Sequence, residues 1–404
     1  MTTETNIKLV PKLRFKEFDG EWKVTRLGDL SKGVAYGMNS SAITFDGTNK
    51  YLRITDIDED TRRFKPKPLT SPDGVIEDKF KLKCNDIVFT RTGASVGKSY
   101  LYNKSDGDLY YAGFLIKFNI VKADSYFIFC NTYTEKYNNW VHIYSMRSGQ
   151  PGLNAEEYKN LKLNIPSLPE QQKIASFLSA VDEKINQLNQ KANLLTQYKK
   201  GVMQHLFSGK LRFKTENGKD FPEWEFLNGN ELFKTISDKK HNSDLPVLAI
   251  TQDQGAIPRE LINYKISVTE KSVDSYKVVQ KGDFIISLRS FQGGIEFSNY
   301  HGICSPAYNI LRPSRENMNS YFYKVYLKTP GYIKSLQSKL EGIRDGKMIS
   351  FKYFSEIKLP FPSLKEQQKI ANYLTALDEK LAQVNTQIEK TKTFKKGLLQ
   401  QMFV

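Results

Sequence analysis

The stretch SLPEQQKIASFLSAVDEKI at residues 167–185 returns almost unaltered as SLKEQQKIANYLTALDEKL at residues 363–381. Aligned at a constant offset of 196 residues, positions 162–207 and 358–403 share 23 identities in 46 positions without a gap. Similarity of this extent indicates an internal duplication. A chain of 404 residues exceeds one ordinary hydrophobic core, and the duplication predicts that it is organised as two domains.

Both copies have the pattern of a long amphipathic helix. Each opens with Ser-x-x-Glu, at Ser167 and Glu170 and again at Ser363 and Glu366, which predicts a capping box. Apolar residues then recur alternately every four and three residues, the spacing of a coiled-coil seam. The seam residues are Ile174, Leu178, Val181, Ile185, Leu188, Ala192 and Leu195 in the first copy, and Ile370, Leu374, Leu377, Leu381, Val384 and Ile388 in the second. A length of ~60 Å favours pairing of the two helices over packing of each helix on its own domain.

The order of the segments predicts that the helices pair in an antiparallel manner. The first helix leads from the first globular segment to the second, and the second helix starts from the second segment. We therefore expect a pseudo-two-fold repeat with the globular domains at opposite ends of the helix pair. The predicted segments are a domain at 1–165, a helix at 166–208, a domain at 209–361 and a helix at 362–404.

The globular segments are diverged copies of each other. KLRFKEFDGEW at 12–22 resembles KLRFKTENGKDFPEW at 210–224, YLRITDID at 51–58 resembles VLAITQDQ at 247–254, and NDIVFTRTG at 85–93 resembles GDFIISLRS at 282–290. Short β-branched and aromatic runs bounded by Gly, Asn or Asp predict several short strands and an α+β fold. Because the helices match closely and the domains do not, we expect the two domains to recognise different things.

Composition points to nucleic acid as the partner. The net charge of +16 gives a surface that favours a polyanion. No apolar run approaches the 18 or so residues of a membrane span, and the first ten residues lack a signal-peptide core, so we expect a cytoplasmic protein. The widely spaced Cys84, Cys130 and Cys304 fit neither a disulfide framework nor a zinc site, and we expect them to be buried.

The sequence offers little for catalysis. TGASVGKS at 92–99 encloses three residues between its glycines, whereas a nucleotide-binding P-loop encloses four. The four histidines are isolated from one another, and the acidic cluster at 56–60 is typical of a solvated loop. A Gly-rich cofactor loop and the Asn/Asp-Pro-Pro-aromatic tetrapeptide of an adenine methyltransferase are not found. We therefore expect no active site, no metal and no cofactor in this chain.

What remains is a set of basic and amide side chains in loops. Arg and Gln carry forked donors and acceptors that can read guanine and adenine edges in the major groove, and basic loops contact phosphates. The candidate DNA-binding residues in the first domain are Arg62, Arg63, Lys65, Lys67, Arg91, Thr92, Lys98, Arg147 and Gln150. Those in the second domain are Gln252, Gln254, Arg259, Arg289, Gln292, Arg344 and Lys347.

The motifs resemble the specificity subunit of bacterial type I restriction-modification systems over essentially the whole chain. The resemblance is carried by the two PSL-x-EQQKIA helices, the trailing YKKGVMQHLF and FKKGLLQQMF, the LRFK openings and the TRTGASVGK loop. It implies two target-recognition domains, each reading one half of a bipartite DNA site, with the antiparallel helices as a ruler for the spacer.

The resemblance also implies partners. Two modification subunits would bind S-adenosylmethionine and methylate an adenine in each half-site, and restriction subunits would translocate and cut DNA with ATP and Mg. The specificity subunit itself would be non-catalytic. The helical positions 168–207 and 364–404 would serve as scaffold and as docking surface for the modification subunits. Gly201 and Gly397 occupy the same position in both copies, and we infer close approach of a helix or a partner there, because glycine inside a helix costs about 1 kcal/mol relative to alanine.

Two alternatives stay open at this point. One is an enzyme, a methyltransferase or ATPase built on the loop at 92–99. The other is an architectural coiled-coil protein that binds DNA without sequence preference.

Overall fold

A computed structural model describes residues 8–241, 244–262, 273–288, 290–338 and 349–404 of the chain. Contacts divide the chain into two compact units. Unit 1 comprises Met1–Gln190 with Asn385–Val404, and unit 2 comprises Lys191–Val384. Each unit therefore contains one globular module and one end of each long helix.

From residue 8 onward, the described part of the unit 1 module contains ten short strands and four short helices. The strands are β1 (Lys23–Arg26), β2 (Ser31–Tyr36), β3 (Ala42–Thr44), β4 (Lys50–Leu52), β5 (Thr70–Pro72), β6 (Asp86–Thr90), β7 (Ser99–Leu101), β8 (Leu109–Tyr111), β9 (Leu115–Ile120) and β10 (Lys162–Ile165). The helices are α1 (Leu27–Leu30), α2 (Ser125–Asn131), α3 (Glu135–Ser145) and α4 (Ala155–Lys159), with 3-10 turns at Ile54–Asp56, Asp78–Phe80 and Lys104–Asp106. The main sheet has the order β2-β9-β6-β7 and is antiparallel throughout. Its strand β6 is buried on both faces, which explains why it is almost continuously apolar.

The module of unit 2 repeats this plan. Its strands are β11 (Glu225–Asn228), β12 (Phe233–Ile236), β13 (Leu248–Thr251), β14 (Gly255–Pro258), β15 (Lys277–Val279), β16 (Phe284–Ile286), β17 (Glu296–Phe297), β18 (Gly302–Cys304), β19 (Asn309–Pro313) and β20 (Lys358–Phe361). The short helices are α6 (Gly229–Leu232), α7 (Ser290–Gly293), α8 (Ser320–Tyr326), α9 (Pro330–Ser338) and α10 (Phe351–Ser355), with a 3-10 turn at Arg259–Leu261. The sheet order β12-β19-β16-β17 is the counterpart of β2-β9-β6-β7, and the pair β11-β20 is the counterpart of β1-β10. The α+β fold with two repeated modules is thus confirmed.

The matched motifs NDIVFT and GDFII begin the equivalent strands β6 and β16. In each, a buried aspartate accepts a hydrogen bond from the backbone N–H three residues earlier, Asp86 from Lys83 at 2.8 Å and Asp283 from Gln280 at 2.7 Å. The same residue type is kept because it closes the turn that feeds the central strand. Of the cysteines, two are buried as expected, but Cys84, in the first of these turns, is exposed.

The two long helices are α5 (Leu168–Phe207) and α11 (Leu364–Met402). Their predicted seam residues are buried or half-buried. In unit 1 the first half of α5 meets the last half of α11, where the Lys395 ammonium lies 2.7 Å from the Asp182 carboxylate. In unit 2 the corresponding residues of the other copy, Lys199 and Asp378, also form an ion pair. In both units the start of one helix meets the end of the other, so the antiparallel pairing is confirmed.

The start of α5 is fastened to its module by a buried carboxylate. Glu170 is 2% exposed and accepts hydrogen bonds from Arg14 Nε and Nη2, both at 2.8 Å, and from Trp22 Nε1 at 3.4 Å. The bond to Glu170 raises the pKa of Arg14. The capping box predicted that the Glu170 carboxylate would accept a hydrogen bond from the first helical turn, and this is wrong. Glu170 instead binds Arg14 and Trp22, which lie near the start of the chain.

The second copy has the same arrangement. Glu366 is fully buried and accepts hydrogen bonds from Arg212 Nε at 3.2 Å, Arg212 Nη2 at 3.0 Å and Trp224 Nε1 at 2.9 Å. The next residue in each copy adds a second fastening. Gln171 and Gln367 accept from the backbone N–H groups of Asp124 at 3.0 Å and Asn319 at 2.8 Å, just before α2 and α8. The repeated EQ dipeptide thus fixes each long helix to its own module.

Candidate nucleic-acid interface

Two loops of unit 1 come together at one edge of the main sheet. The loop after β6 runs beside the loop after α3, where Gly93 N–H donates to Pro151 O at 3.0 Å and Leu153 N–H donates to Arg91 O at 2.8 Å. Gly93 has φ +80°, and a Cβ there would lie 3.0 Å from the Gln150 amide, so glycine is required in this turn. The structure therefore brings together the loops that carry Arg91 and Gln150, two of the candidate DNA-binding residues.

Exposed aromatic residues flank these two side chains. The Arg91 guanidinium lies 5.0 Å from the centre of the Tyr36 ring, and Arg91 N–H donates to Phe114 O at 3.0 Å. The Phe114 side chain is 59% exposed and the Tyr36 side chain 41%. We call the set Tyr36, Arg91, Thr92, Phe114 and Gln150 the first recognition surface. Sequence reasoning missed both aromatic residues, which lie far from the TRTG loop in the chain.

Arg147 lies at the base of the second of these loops. Its guanidinium is 2.5 Å from Glu157 and donates to the carbonyl oxygens of Tyr144 and Met146 at 2.9 and 2.8 Å. Three internal partners hold this side chain, although it is 42% exposed. Arg147 therefore shapes the loop that carries Gln150.

Arg62 and Lys98, predicted to contact DNA, instead make internal contacts. Arg62 Nη1 donates to Ser99 Oγ at 2.9 Å and Thr132 O at 2.8 Å. Lys98 is 7% exposed, donates to Ile57 O at 3.2 Å and forms an ion pair with Glu59. Residue type alone favoured DNA contact for both, whereas the internal partners of both residues, and the burial of Lys98, assign them to contacts within the module.

The acidic cluster beside them is only partly the solvated loop that was predicted, because Glu59 and Asp60 are exposed whereas Asp56 and Asp58 have internal partners. Asp56 is 1% exposed and pairs with Arg53 at 2.8 Å. Burial would raise the pKa of Asp58, but hydrogen bonds from Thr61 and the Lys65 ammonium outweigh it and lower the pKa to about 2. Arg63, Lys65 and Lys67 follow in the same loop and are exposed. Within the described residues no group of three or more His, Cys, Asp or Glu could hold a metal ion.

Unit 2 carries exposed glutamines in the turn after β13 and in the segment after β16. Gln252 and Gln254 lie in the turn between β13 and β14, and Gln292 lies on α7; all three are exposed. A Cβ at Gly293 would lie 2.9 Å from the Gln252 amide group, so Gln252 packs against α7. We call Gln252, Gln254 and Gln292 the second recognition surface.

The other candidates of the second domain do not join this surface. Arg259 follows β14, and the pairing of Leu248 with Pro258 places it at the opposite end of the hairpin from Gln254. Its Nε and Nη1 atoms are buried, so the structure does not present it with the glutamines. Arg289, Arg344 and Lys347 lie outside the described residues.

A buried ion pair lies directly beneath the turn that carries Gln252. Lys328 Nζ donates to Gln252 O at 3.2 Å and lies 2.5 Å from Glu296 Oε1. Glu296 is 1% exposed, and burial raises its pKa to about 6 even though the Lys328 ammonium opposes the shift. The carboxylate is thus nearly desolvated beneath the second recognition surface.

Gly201 and Gly397 mark open positions on the long helices. A Cβ added at either glycine would meet no atom within 4 Å. The inference that another helix of this chain approaches closely there is therefore wrong, and approach by a partner stays a prediction. No helix of the described ranges has the length and apolar content of a membrane span.

Comparison with known proteins agrees with this architecture. A family model described as the type I restriction modification DNA specificity domain matches residues 19–197 and again residues 219–392. The chain belongs to this family. Its two matches correspond to the two modules, so it is a type I restriction-modification specificity subunit with two DNA specificity domains.

Two curated relatives come from Methanocaldococcus jannaschii. The chain is 27% identical over 423 residues to the putative type I restriction enzyme MjaX specificity subunit, covering 96% of this chain and 94% of that protein. It is 27% identical over 419 residues to the type I restriction enzyme MjaVIII specificity subunit, covering 96% and 93%.

Solved structures share the fold. The S subunit of the type I system of M. genitalium matches with a TM-score of 0.59 at 16% identity, over 98% of this chain and 99% of that one. A chain from a structure on complex assembly and conformational transition of a type I system matches with a TM-score of 0.54 at 19% identity, over 96% and 97%.

Proposed function

We propose that this specificity subunit is non-catalytic and that each module reads one half of a bipartite DNA site. Two modification subunits with S-adenosylmethionine would methylate adenine in each half-site, and restriction subunits would act with ATP and Mg. The observation that carries the proposal is the pair of recognition surfaces, each on loops of one of the two duplicated modules. They carry different side chains, Arg91 and Gln150 in one and Gln252 and Gln292 in the other.

These side chains suit base recognition. Arginine donates to guanine O6 and N7, and glutamine pairs with adenine N6 and N7 in the major groove. Tyr36 and Phe114 add exposed apolar area beside Arg91, suited to contact with bases or thymine methyl groups. The exposed loop residues Arg63, Lys65 and Lys67 supply positive charge for phosphates.

The test uses the assembled complex and the positions of methylated adenine. Sequencing methylated DNA from cells that express the chain with its modification partners should give a two-part consensus. Arg91→Ala with Gln150→Ala should relax the first half only, and Gln252→Ala with Gln292→Ala should relax the second half only, because each pair lies on one module. Lys104→Ala, an exposed lysine of unit 1, is the control and should leave both halves unchanged. Methylation without any consensus would show the architectural alternative to be correct.

The enzyme alternative is tested on the isolated chain. We expect no binding of labelled S-adenosylmethionine or ATP in equilibrium dialysis, because the loop at 92–98 is closed by its own lysine, which pairs with Glu59. Saturable binding of either ligand would contradict the non-catalytic assignment.

Docking of two modification subunits is supported by residues of the long helices that are exposed and yet identical in the two copies. Internal packing explains identical buried residues, but it places no such constraint on exposed ones. The pairs that are exposed in both copies and identical are Gln172 and Gln368, Ala180 and Ala376, Glu183 and Glu379, Lys184 and Lys380, Gln187 and Gln383, Lys200 and Lys396, and Gln204 and Gln400. The same external partner engaged twice accounts for this repetition.

The open glycines give the docking proposal a direct test. In unit 1 Gly397 follows two residues after Lys395, which pairs with Asp182, and in unit 2 Gly201 follows two residues after Lys199, which pairs with Asp378. Gly397→Trp and Gly201→Trp should each remove one modification subunit in native mass spectrometry, leaving the fold intact because the space is empty. Asn193→Trp, at an exposed position where the copies differ, should retain two subunits. Retention of both subunits by both glycine variants would contradict the docking proposal.

The helices are proposed to set the spacer. Deleting residues 187–193 and 384–390 removes one heptad from each helix and preserves the seam. The loss is about 10 Å of helix length, or about three base pairs of DNA. The methylation consensus should then keep both half-sites and change the spacer between them. Altered half-sites with an unchanged spacer would contradict the ruler.

A further inference from the structure

In both units a lysine ammonium group binds a loop that bears candidate recognition residues. In unit 1 the loop that follows β4 receives a hydrogen bond from Lys98 Nζ to Ile57 O at 3.2 Å, and its Glu59 pairs with the same ammonium. Lys98 begins the segment that leads into β7, next to the turn that carries Arg91 and Thr92. One buried ammonium therefore joins two loops of unit 1.

Arg62 fastens the same loop at a second point. Its guanidinium reaches the junction of β7 and the end of α2, where it binds Ser99 and Thr132 and lies 4.4 Å from the centre of the Tyr133 ring. Its backbone has φ +49°, a left-handed conformation uncommon outside glycine. The side-chain contacts hold the loop in this turn.

In unit 2 the cation comes from the opposite side. Lys328 follows α8, at the place that Tyr133 occupies after α2, and donates to Gln252 O in the turn after β13. Its ammonium is neutralised by Glu296 on β17, the strand equivalent to β7. Both modules thus connect the same junction to the same loop. In unit 1 Arg62 of the loop makes this connection, and in unit 2 Lys328 at the helix end makes it.

We propose that Lys98 and Lys328 are positioning residues that fix the recognition loops for base reading and do not contact DNA phosphates. Each ammonium donates to a backbone carbonyl of the loop and pairs with a carboxylate of its own unit. The Lys98 side chain is 7% exposed and the Lys328 side chain 26%. A backbone carbonyl held in this way fixes the direction of the neighbouring side chains, whichever base they read. This inference rests on the proposed function.

The test measures discrimination and salt dependence together. The full chain with its modification partners is titrated onto its bipartite site and onto sites with one half randomised, between 50 and 200 mM salt. Lys328→Met should lower discrimination at the second half-site at least tenfold and leave the first half-site and the salt slope unchanged. Lys98→Met should lower discrimination at the first half-site at least tenfold and leave the second half-site and the salt slope unchanged. Lys281→Met, an exposed lysine of unit 2, is the matched control.

A phosphate contact gives a different result. Loss of one such contact weakens binding equally on all sequences and reduces the salt slope by about one. That outcome for Lys328→Met or Lys98→Met overturns the inference. If Lys328→Met fails to fold, Glu296→Gln replaces it, since the shape and an acceptor remain while the ionic partner is lost. It should also lower discrimination at the second half-site alone, and unchanged discrimination there overturns the inference.

The unmodified chain separates this inference from the proposed function. If the wild-type complex has no preference for a bipartite site, the proposed function itself is wrong. If it has the preference and Lys328→Met retains it, only the positioning role is wrong.

Discussion

Replacing Arg212 with Met tests whether the repeated glutamate fastens each long helix to its module. Glu366 is fully buried and depends on two bonds from Arg212, at 3.2 and 3.0 Å, and one from Trp224 at 2.9 Å. Arg212→Met leaves the carboxylate buried with one remaining donor from this set. The methionine keeps most of the apolar stem, so the change removes charge and hydrogen bonds rather than volume.

Removing one partner of a buried ion pair costs about 3–5 kcal/mol, because the other charge is left uncompensated. Arg212 is 20% exposed, and water that enters its place can solvate part of the carboxylate, which points to the lower end, about 3 kcal/mol. The double variant Arg212→Met with Glu366→Leu removes both charges and should regain most of the loss. Recovery in the double variant separates the uncompensated charge from a packing defect.

Urea unfolding followed by tryptophan fluorescence measures the change in the free energy of unfolding. Trp224 lies in the contact and belongs to unit 2, so its emission reports the perturbed unit. Arg14→Met is the matched variant in unit 1, where Glu170 is 2% exposed, and it should show a loss of similar size. Lys334→Met, at an exposed position of α9, is the control. If Arg212→Met lies within 0.5 kcal/mol of this control, on the order of an ordinary surface change, the fastening role is refuted.

Gly201→Ala should raise the stability of the free chain by about 1 kcal/mol, because the helix gains propensity and the Cβ meets no atom; calorimetry checks it, and a lowered melting temperature would contradict it. Leu178→Ala, at a fully buried seam position, should cost about 2–5 kcal/mol, whereas Leu194→Ala, 65% exposed, should stay within about 0.5 kcal/mol in urea unfolding. Burial raises the pKa of Glu296 to about 6, and protonation of this carboxylate should weaken its ion pair with Lys328. Discrimination at the second half-site should therefore fall as the pH is lowered from 7 to 5, and the first half-site serves as the reference. Since this pKa is raised on folding, protonation favours the folded unit, and its stability should increase over the same fall in pH.

The helices were predictable because their signal is periodic and repeated. Burial at Ile174, Leu178, Ile370 and Leu374 follows directly from the seam spacing. The antiparallel direction followed from chain order alone. The capping box was wrong for a physical reason: Glu170 satisfies the local pattern, but its partner is Arg14, 156 residues away, and a buried arginine fork binds a carboxylate better than a backbone N–H does.

The recognition loops were predictable as segments but not residue by residue. The stretch around Arg91 was predicted to be a Gly-rich loop. In the structure Gly93 has a positive φ, and its turn meets the loop that carries Gln150. Whether a basic side chain faces outward depends on its surroundings in three dimensions. Lys98 lies in the same glycine-rich stretch as Arg91, yet it is enclosed by the neighbouring loop. Phe114 carried no local signal, because an apolar residue between strands normally predicts burial.

Two kinds of residue are identical in the two copies, those with a partner inside the chain and those at open positions. Glu170, Gln171 and Asp182 recur at the offset of 196 because each has an internal partner that also recurs in the other unit. Ala180 and Gly397 recur in the open, where no neighbour within the chain requires either residue type and where glycine weakens the helix. The proposed docking of a modification subunit would explain why a destabilising residue is retained twice at such positions. In that proposal the backbone of a partner approaches the small residues of each helix pair, which would require one docking face in each unit.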